Sequence, residues 1–209
     1  MIYGLDSAFP PSVTGARLMY SNGWRFYGGY IGGPRAYNRW LNSDFGQLAL
    51  IGFKLLPIFV GRNRPWDTVF NYDAGIADGD AVNNLAGNCG FNETQPIVLD
   101  VEYGTWDGQA VTDYCDGWCN RVHMPGHPTI LYSDPKTIDA IGSHFDYTWG
   151  ADYVTSVRYG RPPAGQFDPS TPPPWDVWQF DDNGAIGGST VDLNSARDDF
   201  PFATYQAPG

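Results

Sequence analysis

The sequence predicts an α/β protein, a modified TIM-type barrel of eight strands with helices mainly after the first five. Three observations lead there. Eight short strand-like runs recur along the chain, helical stretches follow the first five, and the alternation stops after residue 153. Alternating strands and helices imply a parallel sheet, and eight strands suggest closure into a barrel. An open doubly wound sheet is the alternative. Neither a Gly-x-Gly-x-x-Gly turn nor a Gly-x-x-x-x-Gly-Lys loop is present to support nucleotide binding in such a sheet.

Each element has its own signal. The first strand is Ile2-Tyr3-Gly4-Leu5, ending in Asp6, followed by a helix over 12–22 with Gly23 as its stop. Residues 24–31 alternate as a second strand. Residues 38–51 form a helix with Trp40, Leu41, Phe45, Leu48 and Ala49 on one face, closed by Gly52. The third strand is 54–60, and 73–87 is helical in pattern but glycine-spotted. The fourth strand is 96–101 and the next helix 109–122. The fifth strand is 129–132, and a helix over 135–145 begins with Pro135, a residue suited to a first helical turn. A sixth strand covers 147–153. Residues 155–175 are rich in Pro and Gly, and no helix crosses Pro172-Pro173-Pro174. Two short strands, 176–180 and 189–193, close the pattern, joined by Asp-Asn-Gly and Gly-Gly turn signals.

Composition sets limits on function. The 209 residues fit one domain, 1–209. Hydrophobic residues make up 42% and aromatic ones 16%, enough for a sizeable core, while only 17% are charged. The net charge of −11 argues against nucleic acid and against anionic membrane surfaces as partners. A glycan partner would be held by aromatic stacking and hydrogen bonds, for which eight Trp and thirteen Tyr provide the material; most of these rings are expected to pack the core. No signal peptide is visible at the start, and the apolar region 48–61 is too short and interrupted to span a bilayer. Action outside a cell would therefore need another route of export.

Cys115, Cys119 and His123 stand at i, i+4 and i+8 on a predicted helix. The outer two are about 12 Å apart along the axis, too far to share one zinc, so the stripe reads as structural. Cys89 and Cys119 fall near the same end of the predicted barrel, which leaves a disulfide between them open. No histidine ends a predicted strand, none stands in a Gly-x-Ser-x-Gly context, and no metal or cofactor is expected.

The stretch Ile97-Val98-Leu99-Asp100-Val101-Glu102 carries the chemistry. Side chains two apart in a strand share a face, so Asp100 and Glu102 project together where a buried strand meets solvent. Neighbouring carboxylates repel, and one tends to keep its proton while the other ionises. A held proton beside a negative charge suits cleavage of a sugar–sugar bond. Two solvated acids at a strand end are the plain alternative. In a barrel, function gathers at the C-terminal strand ends, where Asp6, Asp100, Glu102 and Asp192 are all placed. Tyr132, Trp149, Trp178 and Gln179 also end strands and supply candidate sugar-binding walls, with core packing as their alternative role.

The segments Gly4-Leu5-Asp6, Leu99-Asp100-Val101-Glu102, Leu131-Tyr132-Ser133, Trp178-Gln179-Phe180 and Val191-Asp192-Leu193-Asn194 resemble the signature elements of glycoside hydrolase family 25, the lysozymes or muramidases of bacteria, fungi and phages. The Phe-Tyr-Gly-Gly-Tyr second strand also resembles the related glycoside-hydrolase-like family typified by a secreted mycobacterial protein. The resemblance implies a barrel of five strand–helix units followed by strands without full helices. It implies Glu102 as the general acid, Asp100 as its electrostatic support, and Asp6 and Asp192 as the floor that holds a substrate N-acetyl group or a water. The implied function is cleavage of peptidoglycan glycan strands by a muramidase-type lysin, phage-borne or carried on a larger protein or virion. The rival is a non-catalytic glycan-binding or structural barrel of a virion or bacterial surface. The stretch 61–72 follows the mycobacterial relative more than the lysozymes.

Overall fold

The computed structural model describes residues 1–63, 67, 69–102, 108–152 and 174–206. Eight strands close into a barrel in chain order: β1 (Ile2–Ser7), β2 (Phe26–Gly32), β3 (Lys54–Val60), β4 (Ile97–Asp100), β5 (Thr129–Ser133), β6 (Tyr147–Ala151), β7 (Val177–Ile186) and β8 (Ser189–Ala196). Neighbours from β1 to β7 pair in parallel, whereas β8 runs antiparallel to both β7 and β1. The doubly wound alternative is thereby set aside. Helices α1 (Val13–Ser21), α2 (Asn42–Ile51), α3 (Tyr72–Asn88), α4 (Gln109–His123) and α5 (Pro135–Ile141) follow the first five strands, as expected. No described helix is long and apolar enough to cross a membrane.

Local chemistry sets the helix ends. Ser12 accepts from Gly15 N at 3.1 Å, Asn71 from Ala74 N at 2.8 Å, and Asp134 from both Lys136 N and Thr137 N, each satisfying donors a helix start leaves open. The second helix starts four residues later than its sequence pattern suggests. Asp44 accepts from Leu41 N at 2.7 Å and so begins the helix there. The preceding residues instead bind other strand ends: Trp40 N donates to Tyr30 O at 2.8 Å. The glycines of α3 and α4 are explained by close approach. A Cβ on Gly75 would lie 2.0 Å from Tyr114 O, and one on Gly117 would lie 2.2 Å from Tyr72 O.

The end of the chain departs most from expectation. The Asp-Asn-Gly segment is no turn; it lies inside β7, where the pairing with β8 shifts register between Gln179 and Gly184. The turn is Gly187-Gly188 alone. Both have positive φ (61° and 81°), as a two-residue hairpin with right-handed strand twist requires. The expected extension of the sixth strand to residue 153 and most of the Pro-rich stretch lie outside the described residues.

Two cores follow from strand alternation. Outward-facing Leu5, Tyr27, Leu55, Phe59, Leu99, Leu131 and Leu193 meet the helices in one large cluster. Inward-facing Phe26, Leu56, Ile58, Val98, Ile130, Trp149 and Val177 fill the barrel. The segment after β8 closes the base: Phe200 and Phe202 stack 4.9 Å apart, Phe202 lies 4.9 Å from Phe26, and Lys54 Nζ sits 5.0 Å over the Phe202 ring.

Cys89, Cys115 and Cys119 are all free and buried, so the Cys89–Cys119 bridge is not formed. The two occupy different surroundings: Cys89 Sγ lies 3.8 Å from Trp40 O, while Cys119 meets Thr129. The stripe on α4 is structural: its first two members are buried and His123 binds Asp146 Oδ2 at 2.8 Å.

Candidate active site

Strand parity carries the acids to one mouth. The residues sharing the inward face with Phe26, Val98, Ile130 and Val177 are Asp6 on β1, Tyr30 on β2, Asp100 on β4, Tyr132 on β5 and Gln179 on β7. On β8 the order is reversed. Asp192 reaches the mouth because the strand comes down from it, not because it ends a strand there. Asp192 stands opposite Asp6 in the antiparallel register, and Asn194 stands opposite Gly4. Room inside comes from Gly28: a Cβ there would lie 2.9 Å from Asp6 Cβ and 3.1 Å from Trp149 Cη2.

Asp6 is buried and held by amides. Its Oδ1 accepts from Asn194 Nδ2 at 2.7 Å and Gln179 Nε2 at 3.2 Å. Burial and the neighbouring Asp192 charge still push its pKa well above the usual carboxylate value, against those two hydrogen bonds. Asp100 is as deeply buried, at 3% exposure, and its Oδ1 has no hydrogen-bond partner. Burial, then the fields of Glu102 and Asp6, raises its pKa strongly. An unsatisfied buried carboxylate is costly when charged, so this burial favours the protonated form of Asp100.

Glu102 is the acid that opens to solvent. The surrounding rim nevertheless desolvates its carboxyl and raises its pKa, with a hydrogen bond to Tyr132 acting the other way. Tyr132 Oη itself donates to Gln179 Oε1 at 2.6 Å. Hydrogen bonds thus link Glu102, Tyr132, Gln179 and Asp6 in one chain across the mouth.

A second set of contacts fixes Glu102 from behind. Its backbone N–H donates to Asn63 Oδ1 at 3.0 Å. Asn63 N donates to Asp67 at 2.7 Å, and Asp67 is clasped by two hydrogen bonds from Arg35, at 2.7 and 2.8 Å. Burial works against the Asp67 charge, but Arg35 and the Asn63 backbone outweigh it and hold its pKa low. Tyr30 lies among the acids: burial first, then Asp100, Asp6, Glu102 and Asp192, pushes its phenol far above its usual pKa. The pocket above them holds about 480 Å³ and is lined by Tyr30, Arg35, Tyr37, Asn63, Asp100 and Glu102, among others. Among the described residues, no three His, Cys, Asp or Glu side chains are grouped to hold a metal ion.

The structure therefore brings Asp6, Asp100, Glu102 and Asp192 to one mouth, and all four act on one phenol. The sugar-binding walls are placed otherwise. Trp149 is fully buried, packs the inner core and donates from Nε1 to Asn194 Oδ1 at 3.0 Å, so it contacts no open surface. Trp178 has the opposite parity to Gln179; it packs against the outer core and donates to Asp152 O at 2.8 Å. Tyr132 and Gln179 do reach the mouth, bound to the acids. Three contributors were not singled out from sequence. Tyr30 was legible, since it alternates with Phe26 and Gly28. Asn194 stands in the quoted Asp-x-Asn segment. Asn63 lies on a connecting segment with no pattern to betray it.

A family model described as Rv2525c-like, glycoside hydrolase-like domain matches residues 17–184. No curated protein matches the sequence. Among solved structures, the Tat-secreted protein Rv2525c of Mycobacterium tuberculosis is similar with a TM-score of 0.72 at 18% identity, over 96% of this chain and 98% of that one. A lysozyme from Streptomyces coelicolor is similar with a TM-score of 0.66 at 18% identity, over 93% and 91% of the two chains. A muramidase from Trichobolus zukalii reaches 0.64 at 23% identity, over 94% of each. Likeness at these identities shows a shared fold, the modified barrel with its closing antiparallel hairpin.

Proposed function

The chain belongs to the Rv2525c-like family of glycoside hydrolase-like domains, and from that premise we propose that it hydrolyses the glycan strands of bacterial peptidoglycan. The observation that carries this reading is the solvent-open Glu102, its pKa raised by burial, beside the buried Asp100 and linked through Tyr132 and Gln179 to Asp6. Glycosidic cleavage needs such a group: an acid that still holds its proton near neutrality. Glu102 gives that proton to the bridging oxygen as the bond from this oxygen to the anomeric carbon breaks. Water supplies hydroxide to the anomeric carbon, and its remaining proton restores the acid. Asp100 supports the reacting centre beside Glu102. Asp6, fixed by Asn194 and Gln179, and Asp192 form the floor that holds the N-acetyl group or the water.

Residues 1–209 act as one such domain in this reading. Its site of action is the cell wall, reached by release from the producing cell or on a virion or larger protein. The Tat-secreted relative and the endolysin and spore-cortex lytic enzyme of the same fold support that placement. The test is release of new reducing ends from purified peptidoglycan. Glu102→Gln is expected to lower the rate about 10²- to 10⁴-fold while melting at the parent's temperature. Absence of reducing ends from the unaltered protein between about pH 4 and 8, on walls of several chemotypes, overturns the enzyme; retained binding to those walls would make it a glycan-binding module.

A further inference from the structure

Tyr37 is 94% exposed, yet it lines the pocket that holds Asp100 and Glu102. Folding gains from burying aromatic rings, so a ring offered wholly to water contributes little to the fold. The backbone that carries it is nevertheless fixed on both sides. Ala36 N donates to Gly33 O at 3.3 Å, and Arg35 is clasped to Asp67. Beyond Tyr37, Asn38 Nδ2 and Trp40 Nε1 both donate to Ala8 O, at 3.3 and 3.1 Å. Tyr37 is thus a bare ring on a tied-down segment at the mouth.

The chemistry around Tyr37 selects what it meets. Arg35 is paired with Asp67, and the other ionisable side chains among the described lining residues are the phenols of Tyr30 and Tyr37 and the carboxyls of Asp100 and Glu102. Among the described lining residues, an anionic ligand would find no uncompensated positive charge and would face Asp100 and Glu102. An aromatic face beside hydrogen-bonding groups suits the C–H face of a neutral ring that carries hydroxyls. We propose that Tyr37 is a stacking platform for an uncharged pyranose of the bound glycan, adjacent to the linkage held at Glu102. This assignment rests on the glycan reading above and goes beyond it by naming the residue and the charge class of the sugar. A platform fixed in advance loses little conformational freedom on binding.

The test separates binding from turnover. In a Glu102→Gln background, binding to insoluble peptidoglycan is measured by co-sedimentation. Tyr37→Ala is expected to weaken it about tenfold, equivalent to about 1.4 kcal/mol, and Tyr37→Trp to restore it. Leu50→Ala, an exposed apolar residue on α2 away from the mouth, serves as control and leaves it unchanged. A neutral N-acetylglucosamine oligosaccharide competes, and a uronic-acid oligosaccharide of equal length does not. With Glu102 intact, Tyr37→Ala raises KM with kcat held within about twofold. Unchanged binding in Tyr37→Ala, equal competition by the acidic oligosaccharide, or a loss confined to kcat overturns the proposal. Tyr37-dependent binding without turnover by the parent protein would sink the hydrolase and leave the platform standing.

Discussion

The two ends of the barrel are built on opposite principles. At the base, Phe26, Phe200, Phe202 and Tyr147 meet ring against ring, and apolar burial faces no opposing charge. At the mouth, β1 and β4 carry carboxyls that burial penalises: Asp6 and Asp100 are each 3% exposed. Both ends are occupied by inward-facing side chains of the same alternation, so parity alone does not make a site. The difference is that one end recovers free energy from burial and the other loses it, a loss that functional sites characteristically carry.

The largest break in this contrast is expected at the base. Phe26→Ala removes a fully buried ring that Gly4 and Phe202 surround, and denaturant unfolding should show a loss of about 3–5 kcal/mol. A loss below about 1 kcal/mol would mean that the base does not anchor the fold.

The opposite sign is expected at the mouth. Asp100 has a folded pKa above its unfolded value of about 4, so the native chain binds more protons than the unfolded chain over the window above that value. Its contribution to stability therefore falls as pH rises through the window. Asp100→Asn cannot ionise and escapes this loss. It should stabilise the protein by about 1–2 kcal/mol at neutral pH, with the gain shrinking toward pH 4, while lowering turnover. Thermal melts across pH measure this; a gain equal at both ends of the range would show that charge is not its cause.

The smallest effect sharpens the comparison within the mouth itself. Asn63→Ala frees the backbone N–H of Glu102 without touching a carboxyl. It should reduce kcat about three- to tenfold and shift the acid-dependent limb of the pH–rate profile, with KM little changed. A fall in KM alone would contradict a role in aiming Glu102.

Most of the barrel was legible because its strands are short apolar runs bounded by acids and glycines, and because Gly23, Gly52 and Pro135 mark helix ends. The acids were legible for the same reason: a carboxyl ending an apolar run is conspicuous. What escaped came from contacts between segments distant in sequence. The later start of α2 depends on Trp40 reaching back to Tyr30 and Ala8. A position at a strand end does not by itself bring a tryptophan to the mouth, as Trp149 and Trp178 show. Trp178 and Gln179 are neighbours, so one had to face the helices, and alternation with Val177 decides which. Trp149 faces inward as expected of its parity, but the layer it occupies is roofed by Tyr132, 5.3 Å away edge to face. Of the two turn signals between the last strands, Gly187-Gly188 makes the hairpin, while Asp-Asn-Gly falls at the register shift inside β7.

The antiparallel return of β8 has a consequence for the order in which the site comes into being. Asp6 and Asp192 face each other across the seam between the first and last strands, so the floor of the mouth depends on a pairing of very high sequence separation. Such pairings form late, after nearer contacts have shortened the loop to be closed. A chain still emerging from the ribosome carries Asp100 and Glu102 but not the amide of Asn194 that holds Asp6 in place, so the floor of the mouth is complete only once the seam has closed.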